Sequence, residues 1–174
     1  SVAKSYLAVL AGLAFDDGLI ALDDPVGRTV DDPHFSGSRN GRITWRHLLT
    51  QASEWQGELF GKSDQVDHNR QIGPGADNSR KGDARDLKEP GTFYEYNDVR
   101  VNVLSYALMK RFGRALPDVL KERIMDPIGA SDTWRWNGYS TSWVDVDGKR
   151  IQSVPGGAHW GGGIVISALD HARL

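Results

Sequence analysis

Apolar side chains crowd the start of the chain. Val2, Ala3, Tyr6, Leu7, Val9, Leu10, Leu13, Ala14 and Phe15 fall within residues 1–17. At 3.6 residues per turn they run nearly all the way round, which predicts a helix buried on most sides. Gly18 supplies its C-terminal stop. Leu22-Asp23-Asp24-Pro25-Val26 reads as the turn that follows, and the polar stretch 31–41 as a loop. Thr44 caps a short helix over about 45–52, with Ile43 as the apolar residue before the cap. Residues 61–91 hold many Gly, Asp, Asn, Lys and Arg and almost no apolar residues. They predict a long surface excursion, the stretch best suited to vary between relatives. Helical spacing returns at about 99–112, capped by Asn97 or Asp98 and ended by Gly113. Pro117 suits the first turn of another helix, to about 125. Residues 133–136 read as a strand, and 142–152 as a hairpin turning at Asp147-Gly148. Ser167 to Asp170 opens a last helix that reaches Leu174 after about two turns, too short to be stable alone. That short helix, with a buried helix at the other end, predicts an internal piece of a longer chain. No internal repeat is visible.

Composition narrows the function. Of 174 residues, 39% are hydrophobic and 25% charged, as in one ordinary soluble domain. Acids number 23 and bases 21, for a net charge of -2, which argues against a nucleic-acid partner. No run approaches the roughly 18 apolar residues of a membrane span. Cysteine is absent, which excludes disulfides, thiolate metal sites and a cysteine nucleophile. Six Trp and 20 Gly are on the high side. Trp134, Trp136, Trp143 and Trp160 could line a cleft, although tryptophans on a hairpin more often pack.

Candidate chemistry begins at Ser1-Val2-Ala3-Lys4. Positions i and i+3 share a helix face, so Ser1 Oγ and Lys4 Nζ can meet. A hydroxyl with a desolvated amine one turn away is the arrangement a serine acyl-enzyme needs. Taken alone, the pattern better fits a solvated lysine at a frayed helix end. The second piece is Pro90-Gly91-Thr92-Phe93-Tyr94-Glu95-Tyr96-Asn97-Asp98. A turn delivers Tyr96 just ahead of a helix, where its phenol can relay a proton beside a lysine. Asn97 or Asp98 can bind that lysine or a substrate amide. The plainer alternative is a buried aromatic followed by a helix cap.

Together the segments resemble the serine beta-lactamase-like family of class C beta-lactamases, serine DD-peptidases and related esterases and amide hydrolases. Ser1-Val2-Ala3-Lys4 is similar to its S-x-x-K, and 17–26 to its D-E-G-x-L-x-L-D-D-P-V stretch. Residues 43–53 are similar to I-T-x-R-H-L-L-T-H-T-S-G. Pro90-Gly91-Thr92 leading to Tyr96-Asn97-Asp98 is similar to P-G-T followed by Y-S-N. Residues 126–133 are similar to P-L-G-M-x-x-T, and 161–170 to A-G-G-L-x-S-T-A-x-D. The six segments keep the family's order. The resemblance implies an α+β fold: the mainly helical portion of a beta-lactamase-like αβα sandwich, with a small β-hairpin near 133–152, truncated at both ends. Residues 1–174 are then one partial serine-hydrolase domain, lacking the sheet strands and the third motif.

The chain departs from the family at three places. The third position of Y-x-N is Asp98. Ser53-Glu54-Trp55 replaces the Ser-Gly after H-T. The third motif, K-T-G or H-x-G, is not found; His159-Trp160-Gly161 spells H-x-G but falls inside the A-G-G segment. The resemblance implies two-step acyl transfer. Ser1 attacks a carbonyl, Lys4 and Tyr96 handle its proton, and Asn97 and Asp98 contact substrate. No metal or cofactor is required. The substrate would be a small-molecule ester, amide or peptide, with Asp98 favouring an esterase or amidase over a true beta-lactamase. Family members are often exported, to the periplasm or beyond. Two rivals remain. One is an N-terminal-nucleophile hydrolase using the Ser1 amine, a class that usually starts on a strand. The other is a non-catalytic relative that binds a ligand or peptide. Either way, the 174-residue chain alone is expected to be inactive, because one oxyanion donor and the sheet would lie elsewhere.

Overall fold

The computed structural model describes residues 2–157 and 162–174. Helix α1 spans Ala3–Asp16 and α2 spans Trp45–Leu49. A short ribbon, β1 (Glu58–Leu59) with β2 (Lys62–Ser63), leads into a 3-10 turn at Asp64–Asp67. Helix α3 (Asp98–Phe112) is followed by α4 (Leu116–Leu120), whose last turn widens to a π-turn at Lys121–Met125. Strand β3 (Arg135–Asn137) pairs antiparallel with β6 (Gly163–Val165), Trp136 opposite Ile164. Strands β4 (Trp143–Val146) and β5 (Lys149–Gln152) form a hairpin, and α5 covers Ala168–His171. The mixture of helices and short strand pairs is the α+β class expected.

The hairpin turns where the sequence places it. Asp147 and Gly148 both take positive φ, 49° and 76°, as a two-residue turn between twisted strands requires. Thr44 and His47 form a reciprocal cap on α2: each backbone N–H is bound by the other's side chain, at 3.2 and 3.3 Å. Gly113 closes α3 in the left-handed conformation, its N–H bonded to Met109 O at 3.0 Å.

The buried helix is not the one that hydrophobicity marks. In α1 the buried residues are Ala3, Tyr6, Leu7, Leu10, Ala11 and Ala14, a single stripe. Ser5, Ala8 and Gly12 on the other side are exposed, and being small they cost little there. Instead α3 is buried on every side from Asp98 to Met109, against α1, α2, α4 and β1. Its polar residues enter the core with partners. Ser105 donates to Val154 O, Asn102 accepts from Gly156 N at 3.1 Å, and Arg100 joins four acceptors. Paired polar groups hide a central helix from any apolar periodicity.

The excursion also differs from expectation. Residues 71–81 are exposed, but the stretch is tied to the core by charge. The Arg85 guanidinium grips Glu54 at 2.6 and 2.8 Å and Glu95 at 2.7 and 3.1 Å. Lys88 N–H donates to Glu54 at 2.7 Å. Trp134 and Trp136 are packing residues, 8% and 6% exposed. Trp143 is half-exposed and flanks a hollow of about 490 Å3 with Trp136 and Arg150. That hollow shares no lining residue with Lys4 or Tyr96. Trp160 lies outside the described residues.

Candidate active site

Three elements bring the candidate residues together. Lys4 sits in the first turn of α1, with its side chain 20% exposed, so it is not a solvated end. Asp98 opens α3 and is buried. A run at 153–157, buried throughout, passes between these helices. The run fits because two residues lack side chains. A Cβ on Gly156 would lie 2.1 Å from Val101 Cγ1, and one on Gly157 would lie 3.0 Å from Asp98 Oδ1. Trp136 Nε1 donates to Pro155 O at 2.9 Å and fixes the run from the far side.

Tyr96 is delivered by the Pro90-Gly91-Thr92 turn. Gly91 has φ 89°, a conformation open to glycine, and a Cβ there would lie 2.6 Å from His47 Nε2. Gly91 N–H donates to Ala52 O at 2.7 Å, Glu95 N–H to Gln51 O at 3.2 Å, and Asn97 N–H to Gln51 Oε1 at 3.2 Å. The loop after α2 therefore holds the strand-like segment that carries Tyr96.

Lys4 Nζ donates to Asp98 Oδ1 at 2.9 Å and to Gly156 O at 3.4 Å, and lies 4.7 Å from the Tyr96 ring centroid. The Arg70 guanidinium lies 4.5 Å from the same ring and bonds Asp98 Oδ2 at 2.8 Å. Two cations thus share one aromatic ring and one carboxylate. Burial disfavours charge on Asp98, but the hydrogen bonds from Arg70 and Lys4 outweigh it and hold the carboxyl below its usual range. Asp98 N–H donates to Asp67 Oδ2 at 2.8 Å, and Asp67 Oδ1 meets Lys81 at 3.0 Å.

Asn97 has a different place. It is fully buried, its Oδ1 caps α3 by accepting from Arg100 N–H at 3.1 Å, and its Nδ2 donates to Asp64 O at 2.9 Å. It presents no surface to a substrate. Glu54 is likewise fully buried and belongs to a charge cluster with Arg85, Arg100, Glu95 and Asp64, not to a binding loop. Burial opposes its ionisation, yet the Arg85 and Arg100 contacts and the Lys88 N–H bring its carboxyl down to about 2. Ser1, and the His159-Trp160-Gly161 triplet, lie outside the described residues. Arg70, Asp67 and the Gly156 carbonyl were missed at the level of sequence. Only the Asp67–Arg70 spacing of three gave a local sign, and their partner Asp98 is 28 residues from Arg70.

A family described as Beta-lactamase matches residues 1–174. No curated protein sequence matches. Among solved structures, the D-alanine carboxypeptidase AmpC of Burkholderia cenocepacia is similar over 99% of this chain and 46% of its own, at 22% identity and TM-score 0.61. A penicillin binding protein of Bacillus halodurans is similar over 100% and 56%, at 16% identity and TM-score 0.61. The octameric penicillin-binding protein homologue of Pyrococcus abyssi is similar over 99% and 42%, at 21% identity and TM-score 0.58. These likenesses are of fold, and the chain spans about half the length of each structure. With the family match over its whole length, the chain belongs to the beta-lactamase family.

Proposed function

We propose that this chain supplies the nucleophile, the base and the proton relay of a serine hydrolase acting on an ester, amide or beta-lactam carbonyl. The observation that carries the reading is the convergence of Lys4, Tyr96 and Asp98 from positions up to 94 residues apart. Ser1 stands three residues before Lys4 in the sequence, the spacing of the S-x-x-K pattern. Ser1 Oγ attacks the carbonyl carbon, and its proton passes to Lys4 or Tyr96. A neutral Lys4 amine has two N–H bonds for Asp98 Oδ1 and Gly156 O, which leaves its lone pair for that proton. The tetrahedral oxyanion takes hydrogen bonds from backbone N–H groups, one of them that of Ser1. Tyr96 passes the proton to the leaving group as the C–O or C–N bond breaks. Water then adds to the acyl-enzyme and releases the acid. Because the chain spans about half of the structures it resembles, we place a second oxyanion donor in sequence outside residues 1–174. The 174-residue chain alone is then inactive. Asp98 in place of an amide favours ester or amide substrates over beta-lactams.

One observation favours a second reading. Lys4 is ion-paired with Asp98, and a permanently paired lysine suits a relative that binds a ligand without turnover. Incubation with a fluorophosphonate, read by intact mass and peptide mapping, separates the two. It is run on this chain and on a longer protein that contains it. The hydrolase reading expects an adduct on Ser1 in the longer protein, lost in Lys4→Ala. No adduct in the longer protein leaves only the binding reading.

A further inference from the structure

Five charges alternate along one line beside the candidate base. Lys4 meets Asp98 at 2.9 Å, Asp98 meets Arg70 at 2.8 Å, Arg70 meets Asp67 at 3.3 Å, and Asp67 meets Lys81 at 3.0 Å. Asp98 and Asp67 are both nearly excluded from solvent, with side chains 3% exposed. Remove the charge of Lys4 and the remaining row still balances, two carboxylates against two cations. Remove Arg70 instead, and Asp98 has Lys4 as the one cation of this row still beside it. Resting on the hydrolase reading above, we propose that Arg70 is a positioning residue that compensates Asp98, so that the proton of Ser1 can be taken up and given back beside a carboxylate.

The geometry gives Arg70 two routes to the base. Through Asp98 Oδ2 it draws the carboxylate's negative charge away from Oδ1, the atom that Lys4 touches. It also places its positive charge over the Tyr96 ring, 4.5 Å from the ring centroid, on the residue that carries the other candidate base. Both routes add positive charge beside the candidate base, so the shift on removing Arg70 has the same direction whether Lys4 or Tyr96 is the base. Among the described residues, the groups facing this pair include Asp98 from α3, Arg70 from the excursion and the Gly156 carbonyl from the 153–157 run. Asp67 and Lys81 stand behind them, and the Tyr139 phenol, raised by burial, also feels Asp98. Arg70 is itself more firmly protonated than a free arginine: burial works against its charge, and Asp98 and Asp67 overcome it.

The test is the pH dependence of Ser1 phosphonylation in the longer protein that contains this chain. In that step the Ser1 Oγ–P bond forms, the P–F bond breaks, fluoride leaves, and the base takes the serine proton. In Arg70→Met the ascending limb of the rate profile moves to higher pH by about one unit, so neutral-pH labelling falls about tenfold while the alkaline plateau is kept. Arg70→Lys keeps the charge and holds the limb near its original place. Adding Asp98→Asn to Arg70→Met brings the limb back down. A purely structural Arg70 would lower the plateau and leave the limb where it was, and that result overturns the inference. Should circular dichroism show Arg70→Met unfolded, Asp98→Asn alone is compared with the double variant. The single change moves the limb to lower pH and the second moves it back up; equal limbs overturn the inference. Wild type that never labels at Ser1 overturns the hydrolase reading, and this inference with it.

Discussion

Replacing Glu54 by Gln tests the buried charge cluster directly. The Glu54 carboxylate is fully buried and takes hydrogen bonds from Arg85 at 2.6 and 2.8 Å, Arg100 at 2.6 Å and Lys88 N–H at 2.7 Å. Its carboxyl is lowered from 4.5 to about 2. A group depressed on folding stabilises above its unfolded value, and that stabilisation drains away as pH falls towards the folded value. The window for Glu54 therefore runs from about 4.5 down to about 2. A depression of that size amounts to about 3 kcal/mol at face value, and solvent at the edge of the cluster trims it to about 2 kcal/mol. By about pH 3 roughly half of this is gone, because the unfolded chain has taken up the proton and the native state has not. Urea melts of wild type and Glu54→Gln are compared at about pH 7 and about pH 3. The variant is less stable by about 2 kcal/mol at the higher pH, and the gap narrows by about 1 kcal/mol at the lower. Carboxylates far from the cluster titrate alike in both proteins and cancel. A gap that stays constant or widens on acidification refutes the reasoning, since it would mean that Glu54 does not titrate differently in the native state.

Gly156→Ala forces a Cβ against Val101 and Leu7, which costs about 1–3 kcal/mol through overpacking. Stability and Ser1 labelling fall together because the Gly156 carbonyl holds Lys4, and Val101→Ala in the same chain recovers only part of the melting temperature, because Leu7 still crowds the new methyl. Gly91→Ala puts a side chain at φ 89° against His47, at a cost of about 1–3 kcal/mol. Calorimetry shows the lowered transition, and trimming His47 to Ala as well recovers only the steric part.

Local signals in the sequence were legible. The limits of α1 and α3, the Thr44 cap, the Gly113 stop and the Asp147-Gly148 turn all depend on neighbours a few residues apart. Lys4, Tyr96 and Asp98 are close in space, as the motif order implied. What could not be read depends on charge pairing across long stretches of chain. Arg100 lies 46 residues from Glu54, so nothing local marks it as a core residue. Burial of α3 is invisible to apolar periodicity because Asp98, Arg100, Asn102 and Ser105 are satisfied by distant partners. The excursion looked detached because its anchor, Arg85, is a charged residue that ordinarily marks a solvated surface. Strand β6 is three residues long and begins with glycine, too little for a period of two to register.

The run at 153–157 has a consequence for how the molecule is made. The carbonyl that Lys4 touches belongs to a residue 152 positions later, and its carboxylate partner to one 94 positions later. A ribosome delivers Lys4 152 residues ahead of Gly156. Until then the Lys4 amine lacks that carbonyl, and until α3 has been made it lacks the carboxylate too and α1 lacks α3 as a neighbour. Contacts of such separation close late and slowly. Assembly of the candidate site therefore waits for the 153–157 run, and a nascent chain stopped short of residue 156 carries the S-x-x-K residues without the surroundings that make them a site.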